Sequence, residues 1–246
     1  MLFDSIVYGP IRSRRLGVSL GINLMPTTAK LCTFDCVYCE CGWNQPVSHP
    51  QLPTREQVRA ALESQLLTLE VQPDVITFSG NGEPTLHPDF LGIIQDTCAL
   101  RDQYCPNAKV SVLSNSTQLG RVDVVKALLL VDNRILKLDS AIDATMRLID
   151  KPVNDQLTVS KVMEWLSIFD GDFTFFLRGE YEGKIINNTT AEELAAWYQA
   201  VDILHPKQVM IYVIDRATPL QTLSKVPADE MEAIAAPLRE KGIDVI

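Results

Sequence analysis

Cys32-Thr33-Phe34-Asp35-Cys36-Val37-Tyr38-Cys39 puts three thiols within eight residues, spaced C-x3-C-x2-C, with an aromatic residue directly before the last. A loop this short wraps three thiolates around one corner of an iron–sulfur cube, each on a different iron. Soft thiolates select iron–sulfur clusters or zinc. Three protein ligands leave the fourth iron of a cube open for chemistry, where four cysteines would favour an electron carrier. On the loop alone, a zinc site or three free cysteines stay open, since zinc sites use similar short spacings.

A second segment narrows the choice. Ser79-Gly80-Asn81-Gly82-Glu83-Pro84-Thr85 follows the strand-like run Val75-Ile76-Thr77-Phe78. Glycines there let backbone groups approach a ligand closely, and a carboxylate beside them can accept from an ammonium. Taken alone, Gly80-x-Gly82 is a weak signal and fits a plain strand-to-helix turn. It fails the dinucleotide fingerprint, because Thr85 stands where the third glycine belongs.

Together, the cysteine loop and the glycine segment resemble the signature of the radical S-adenosylmethionine (SAM) superfamily. The resemblance implies one 4Fe-4S cluster on Cys32, Cys36 and Cys39, with SAM chelating the fourth iron through its amino and carboxylate groups. It implies reductive cleavage of SAM to a 5′-deoxyadenosyl radical that abstracts hydrogen from a substrate. Tyr38, Gly80, Asn81, Gly82 and Glu83 would lie against SAM, and a flavodoxin or ferredoxin would supply the electron. The cofactor carries the hard chemistry, and the protein orients it and excludes side reactions.

The whole chain sets broader bounds. Its 246 residues suit a single α/β domain, and 46% hydrophobic content suffices for a core. No run of about 18 apolar residues suggests a membrane span, and the N-terminus lacks the basic and apolar regions of a signal peptide. Thiolate clusters need a reducing compartment, so the expected location is the cytoplasm. A net charge of −9 argues against tight non-specific binding to nucleic acid, which relies on neutralising phosphates.

Strand-like runs at 18–25, 75–78, 110–113, 135–138, 173–177 and 209–214 alternate with helical stripes. Val58, Ala61, Leu62, Leu66 and Leu69 follow the capping box Thr54-x-x-Gln57. Leu194, Trp197, Tyr198 and Val201 follow a second box, Thr190-x-x-Glu193. Met231, Ile234, Ala235 and Leu238 form the last stripe, with Pro237 as a candidate kink. Six β-α repeats predict a parallel sheet. Six rather than eight resembles the partial (β/α)6 TIM-like barrel of the radical SAM core. One domain is expected over 1–246, with an N-terminal segment 1–16, a core 17–215 and a C-terminal helix and strand 216–246.

Ligand sites in such barrels lie at the C-terminal strand ends, which nominates more residues. Ser114 and Asn115 end strand three, where Asn115 would bond the SAM carboxylate or ribose or simply form a turn. Lys137 and Asp139 end strand four on one side of the chain. If that side faces inward, they are catalytic candidates, because a buried charged pair needs partners. Arg178 ends strand five and suits a carboxylate; surface pairing with an acid is the alternative. Cys41 is a neighbour of the site, with a catalytic thiol as the minority reading. Cys98 and Cys105 read as core cysteines, and His87 as local structure at a helix start. The basic cluster Arg12, Arg14 and Arg15 either pairs with surface acids or folds over the site.

Tyr8-Gly9-Pro10-Ile11-Arg12-Ser13-Arg14-Arg15-Leu16-Gly17, with Arg178-Gly179 and Tyr212-Val213-Ile214-Asp215-Arg216, narrows the resemblance. It is similar to small bacterial proteins grouped with the tRNA wyosine-base synthases. Those enzymes hold a second cluster on cysteines upstream of the radical SAM loop, and no cysteine precedes Cys32. Their tRNA base chemistry is therefore not carried over. The leading expectation is a radical SAM enzyme whose substrate is a small molecule, an RNA base or a protein. A glycyl-radical-enzyme activase comes second, and a non-catalytic Fe–S or SAM-binding regulator a distant third.

Overall fold

The computed structural model describes residues 2–13, 15–169 and 171–246. The chain forms two compact units, residues 1–32 with 44–134 and residues 33–43 with 135–246.

In chain order the first unit contributes β1 (Val7–Ser13), β2 (Gly17–Asn23), α1 (Arg55–Thr68), β3 (Val75–Ser79), α2 (Phe90–Tyr104), β4 (Lys109–Ser114) and α3 (Val122–Leu130). The strand β5 (Asn133–Leu136) follows, and its first two residues close the unit. The sheet order is β1-β2-β3-β4-β5. Strands β2, β3 and β4 run parallel, with Ser19 opposite Val75 and Val75 opposite Lys109. Parallel strands covered on both faces read as continuous apolar runs, and Leu20, Ile22, Ile76, Phe78, Val110 and Val112 are all fully buried. Phe90, Ile93, Ile94 and Leu100 of α2 join this core. Helix α1 begins with the expected box: Thr54 Oγ1 accepts from Gln57 N at 3.3 Å, and Gln57 Oε1 accepts from Thr54 N at 2.8 Å.

The arginine segment departs from expectation. It forms β1, antiparallel to β2, with Val7 opposite Ile22 and Ser13 opposite Gly17. Arg12 lies in this strand and Arg15 in the turn after it, at the N-terminal end of β2. That is the end of β2 away from the cysteine loop, so Arg12 and Arg15 do not lie over the C-terminal end of β2. Gly9-Pro10 and the charge-rich 12–15 run hid the strand, because both break the alternation on which strand reading depends. Arg14 lies outside the described residues.

The second unit holds the cysteine-loop residues 33–43 and the end of β5. Then come α4 (Asp143–Ile149), α5 (Val159–Leu166), β6 (Gly171–Tyr181), β7 (Lys184–Asn187), α6 (Ala191–Leu204), β8 (Gln208–Val213), β9 (Ser224–Lys225), α7 (Ala228–Glu240) and β10 (Asp244–Val245). Its sheet runs β10-β8-β6-β7, with β9 also on β6. Strands β6 and β8 are parallel, from Gly171 opposite Gln208 to Phe176 opposite Val213. Phe176, Trp197, Val201, Val209, Ile234 and Leu238 form the core. Strand β6 runs past the expected 173–177 because its second half forms a hairpin with β7. Helix α7 continues through Pro237 to Glu240.

The second capping box is only half made. Thr190 accepts from Glu193 N, but the Glu193 carboxylate does not turn back to the cap. It is buried, accepting from Ser140 Oγ at 2.7 Å and Thr145 Oγ1 at 2.5 Å. The start of α6 thereby holds the chain that follows β5.

Candidate functional site

In the first unit, three parallel strand ends carry the relevant residues: Asn23 at the end of β2, Gly80 to Glu83 after β3, and Ser114 with Asn115 at the end of β4. The backbone before Cys32 passes directly against the glycine segment. Leu31 N donates to Asn81 O at 2.9 Å, and Glu83 N donates to Leu31 O at 3.1 Å. A Cβ on Gly82 would sit 1.8 Å from Leu31 O, and its φ of +149° is itself costly for other residues. A Cβ on Gly80 (φ +113°) would sit 2.6 Å from Asn23 Oδ1. Gly82 is thus required by the chain that leads into Cys32, and Gly80 by Asn23.

Two of the nominated residues at this segment bond to the chain itself. Asn81, expected against SAM, is fully buried and bonded to the chain. Its Oδ1 accepts from Phe3 N at 2.8 Å, and its Nδ2 donates to Phe3 O at 2.7 Å and Pro26 O at 2.8 Å. Glu83, expected to take the SAM ammonium, receives four donors from its own unit. These are Thr85 N at 3.1 Å, Thr85 Oγ1 at 2.5 Å, Ser114 Oγ at 2.9 Å and Asn115 N at 2.6 Å. Burial pushes its carboxyl above the usual range, against the pull of those donors. Glu83 thus ties the glycine segment to the Ser114-Asn115 strand end. Asn115 then reaches the cysteine loop, with Nδ2 donating to Cys32 Sγ at 3.4 Å.

In the second unit the loop is built onto the end of α4. A helix ends with carbonyls that lack intrahelical partners. Val37 N donates to Ile149 O at 2.9 Å, and Asp35 N donates to Asp150 O at 2.9 Å. Cys36 is buried. Beside it, Lys137 Nζ lies 2.9 Å from Cys36 Sγ and 3.0 Å from Asp139 Oδ2, and also donates to Asp150 Oδ1. It stands 4.9 Å from the centres of both the Phe34 and Tyr38 rings. The side chain of Lys137 is 4% exposed, that of Asp139 0% and that of Asp150 3%, so water screens none of these charges. Burial penalises the ammonium, yet Asp139, Asp150 and Cys36 outweigh it and hold Lys137 well above its ordinary range. Burial, reinforced by Asp139 and opposed by Lys137, pushes Asp150 up to about 8. Tyr38 donates its hydroxyl to Asp139 Oδ2, and burial with that carboxylate raises its pKa further.

Tyr38, Cys39 and Glu40 line a cavity of about 190 Å³ with Val213, Ile214 and Asp215 at the end of β8, and with Arg216 and Thr218. Glu40 and Arg216 pair at 2.8 Å on its exposed rim.

Arg178 has a different place from the one expected. It lies inside β6, opposite Asn187 of β7. Its Nε and Nη2 donate to Thr189 Oγ1 at 2.8 and 2.6 Å, and its Nη1 and Nη2 donate to the two carboxylate oxygens of Glu230. The hydrogen bond from Arg178 holds Glu230 below its usual range. This is the surface-pairing alternative. Cys105 is buried just past the end of α2, and Cys98 is half-buried with its thiol 3.9 Å from Leu130 O. His87 is local structure: its ring bonds Pro53 O at 2.8 Å and accepts from Asp89 N at 3.1 Å.

Asp150 and Asn23 escaped the sequence reading. An acidic residue at a helix C-terminus opposes the helix dipole, so Asp150 directly after α4 was the available clue. Asn23 sits at a strand end like the residues that were nominated. Its Oδ1 accepts from Met25 N at 3.2 Å and Asn81 N at 3.0 Å, while its buried Nδ2 has no protein acceptor among the described residues. Also among the described residues, no three His, Cys, Asp or Glu side chains gather around a single ion position, and no helix is long and apolar enough to cross a membrane.

Residues 27–169 match the family model described as the Radical SAM superfamily, more than half of the chain. A UPF0026 protein of Methanocaldococcus jannaschii is 32% identical over 188 residues, covering 75% of this chain and 53% of that protein. This chain therefore aligns with about half the length of that relative. Among solved structures, a radical SAM methyltransferase from Sphaerobacter thermophilus superposes with a TM-score of 0.66 at 12% identity, covering 93% of this chain and 65% of that one. Streptococcus suis SuiB bound to S-adenosylmethionine gives 0.64 at 11% identity, covering 88% and 47%, and SuiB is also known bound to its precursor peptide SuiA. These likenesses show the fold, an α/β fold with parallel strands consistent with a partial TIM-like barrel.

Proposed function

The chain belongs to the radical SAM superfamily, and from that premise we propose that it is an enzyme holding one 4Fe-4S cluster on Cys32, Cys36 and Cys39. When bound and reduced by one electron, that cluster supplies reductive cleavage of SAM to methionine and a 5′-deoxyadenosyl radical, which takes a hydrogen atom from the substrate. The observation that carries the reading is the surroundings of the cysteines. Cys32 Sγ receives an amide N–H from Asn115, and Cys36 Sγ an ammonium N–H from Lys137. Donors on sulfur suit iron-bound thiolates and tune them.

The chain's own residues do the rest. Gly82 lets Leu31 pass and so sets where Cys32 begins. Glu83 fixes Asn115 beneath Cys32 Sγ. The buried Asn23 Nδ2 suits an acceptor such as a carboxylate oxygen of SAM. The cavity beside Cys39, lined by Tyr38 and the end of β8, suits a nucleoside. A flavodoxin or ferredoxin would deliver the electron, and the thiolate chemistry calls for a reducing compartment such as the cytoplasm. The substrate class stays at a small molecule, an RNA base or a protein, and neither activase nor wyosine-type chemistry gains a specific observation.

Anaerobic protein should be brown, carry about four irons per chain, and release 5′-deoxyadenosine and methionine when reduced with SAM. Replacing Cys32, Cys36 or Cys39 with Ala should abolish both, while Cys98→Ala and Cys105→Ala should not. A full cluster in Cys39→Ala would sink the ligand set. An intact, reduced cluster that yields no 5′-deoxyadenosine would favour a non-catalytic binder.

A further inference from the structure

We infer that Lys137 is a positioning residue for the cluster rather than a catalytic one: its ammonium, braced by Asp139 and Asp150, donates to Cys36 Sγ and sets the potential at which a cluster held there accepts an electron. The inference rests on the function proposed above, in which Cys36 ligates iron.

A lysine ammonium has three N–H donors. Those of Lys137 face Cys36 Sγ, Asp139 Oδ2 and Asp150 Oδ1. The Phe34 and Tyr38 ring centres stand 4.9 Å away, and the side chain is only 4% exposed, so the ammonium is committed to its own surroundings.

Stability alone is a poor reason for the arrangement. Buried ion networks are often no more stable than apolar packing of the same volume. A charge placed against a ligand sulfur does something packing cannot. Reduction adds one negative charge to the cluster, and hydrogen bonds and charges at the sulfurs tune its potential. The Lys137 ammonium favours the reduced form, and the Asp139 carboxylate opposes it. Their influence is strong because the group is almost fully enclosed, where charges interact in low dielectric.

The opposed signs provide the test. The full chain, reconstituted anaerobically, is titrated with dithionite as external one-electron reductant, and reduction is followed by electron paramagnetic resonance. The variants are Lys137→Met and the isosteric Asp139→Asn, each checked for iron content and for fold by circular dichroism. The midpoint potential should move to more negative values in Lys137→Met and to more positive values in Asp139→Asn. A merely structural role would move neither, or both the same way, and either result overturns the inference. If Lys137→Met folds but takes up no iron, Asp139→Asn decides alone: a positive shift supports the inference, and no shift or a negative one rejects it. A wild-type protein that takes up no cluster would instead overturn the proposed function, and this inference with it.

Discussion

Each unit holds one end of the cysteine loop with a buried acid, and the two do it by opposite means. Glu83 in the first unit is satisfied by neutral donors, two backbone amides and two hydroxyls. Asp139 and Asp150 in the second unit are satisfied by a cation, Lys137, and by the Tyr38 hydroxyl. Neutral donors spread one charge over several modest bonds, and losing one leaves the rest in place. Ion pairing concentrates the balance on single groups, so removing one strands another in low dielectric. The Glu83 bracket should therefore degrade gradually, and the Lys137 cluster abruptly.

The sharpest test is Lys137→Met measured by denaturant unfolding. Breaking a buried pair by removing one partner costs about 3–5 kcal/mol. Adding Asp139→Asn to Lys137→Met should recover part of the loss, because a stranded charge goes with it. If the double variant is worse than the single, the charges are not coupled.

Gly82→Ala comes next. The added Cβ would meet Leu31 O at 1.8 Å, so the backbone before Cys32 must shift. Holding a non-glycine residue in such a conformation costs on the order of 1–3 kcal/mol before that shift is counted. The thermal midpoint should fall and iron uptake with it. Wild-type iron content would show that the Leu31 contact does not position Cys32.

Glu83→Gln should cost less, about 1–3 kcal/mol, the desolvation left when one buried donor loses its acceptor. The smallest effect belongs to Arg178→Ala, which removes a half-exposed pair with Glu230. Glu230 is held below its ordinary range when folded, so the pair stabilises at neutral pH and its contribution is lost as pH falls through that lowered value. The difference in thermal midpoint from wild type should be slight at pH 7 and shrink further as the medium is made acid. A difference that grows in acid would contradict the pairing.

The parallel strands were legible because each is a short, unbroken apolar run. The cysteine and glycine segments were legible because their spacing is local. What escaped was long-range. Nothing near Asn81 in sequence announces Phe3, and nothing near Lys137 announces Asp150 thirteen residues on, across α4. Glu193 imitated a capping box because its spacing fits, while its partners Ser140 and Thr145 come from another element. Strand β1 was missed where proline and charge overrode alternation, and β7 because a four-residue edge strand carries too little pattern. Local periodicity reports which face is buried, whereas the partner of a buried polar group depends on the fold.

The amides of Asp35 and Val37 complete the last turn of α4. The cysteine loop is therefore also that helix's terminal cap. Anything that binds the folded loop and not the unfolded chain must, by linkage, stabilise α4 as well. Loading the loop should slow hydrogen exchange at the Asp35 and Val37 amides and at the Met146 and Asp150 amides of α4 together. The two segments would then open as one cooperative unit, and the fraying of a short helix would report on occupancy of the thiols.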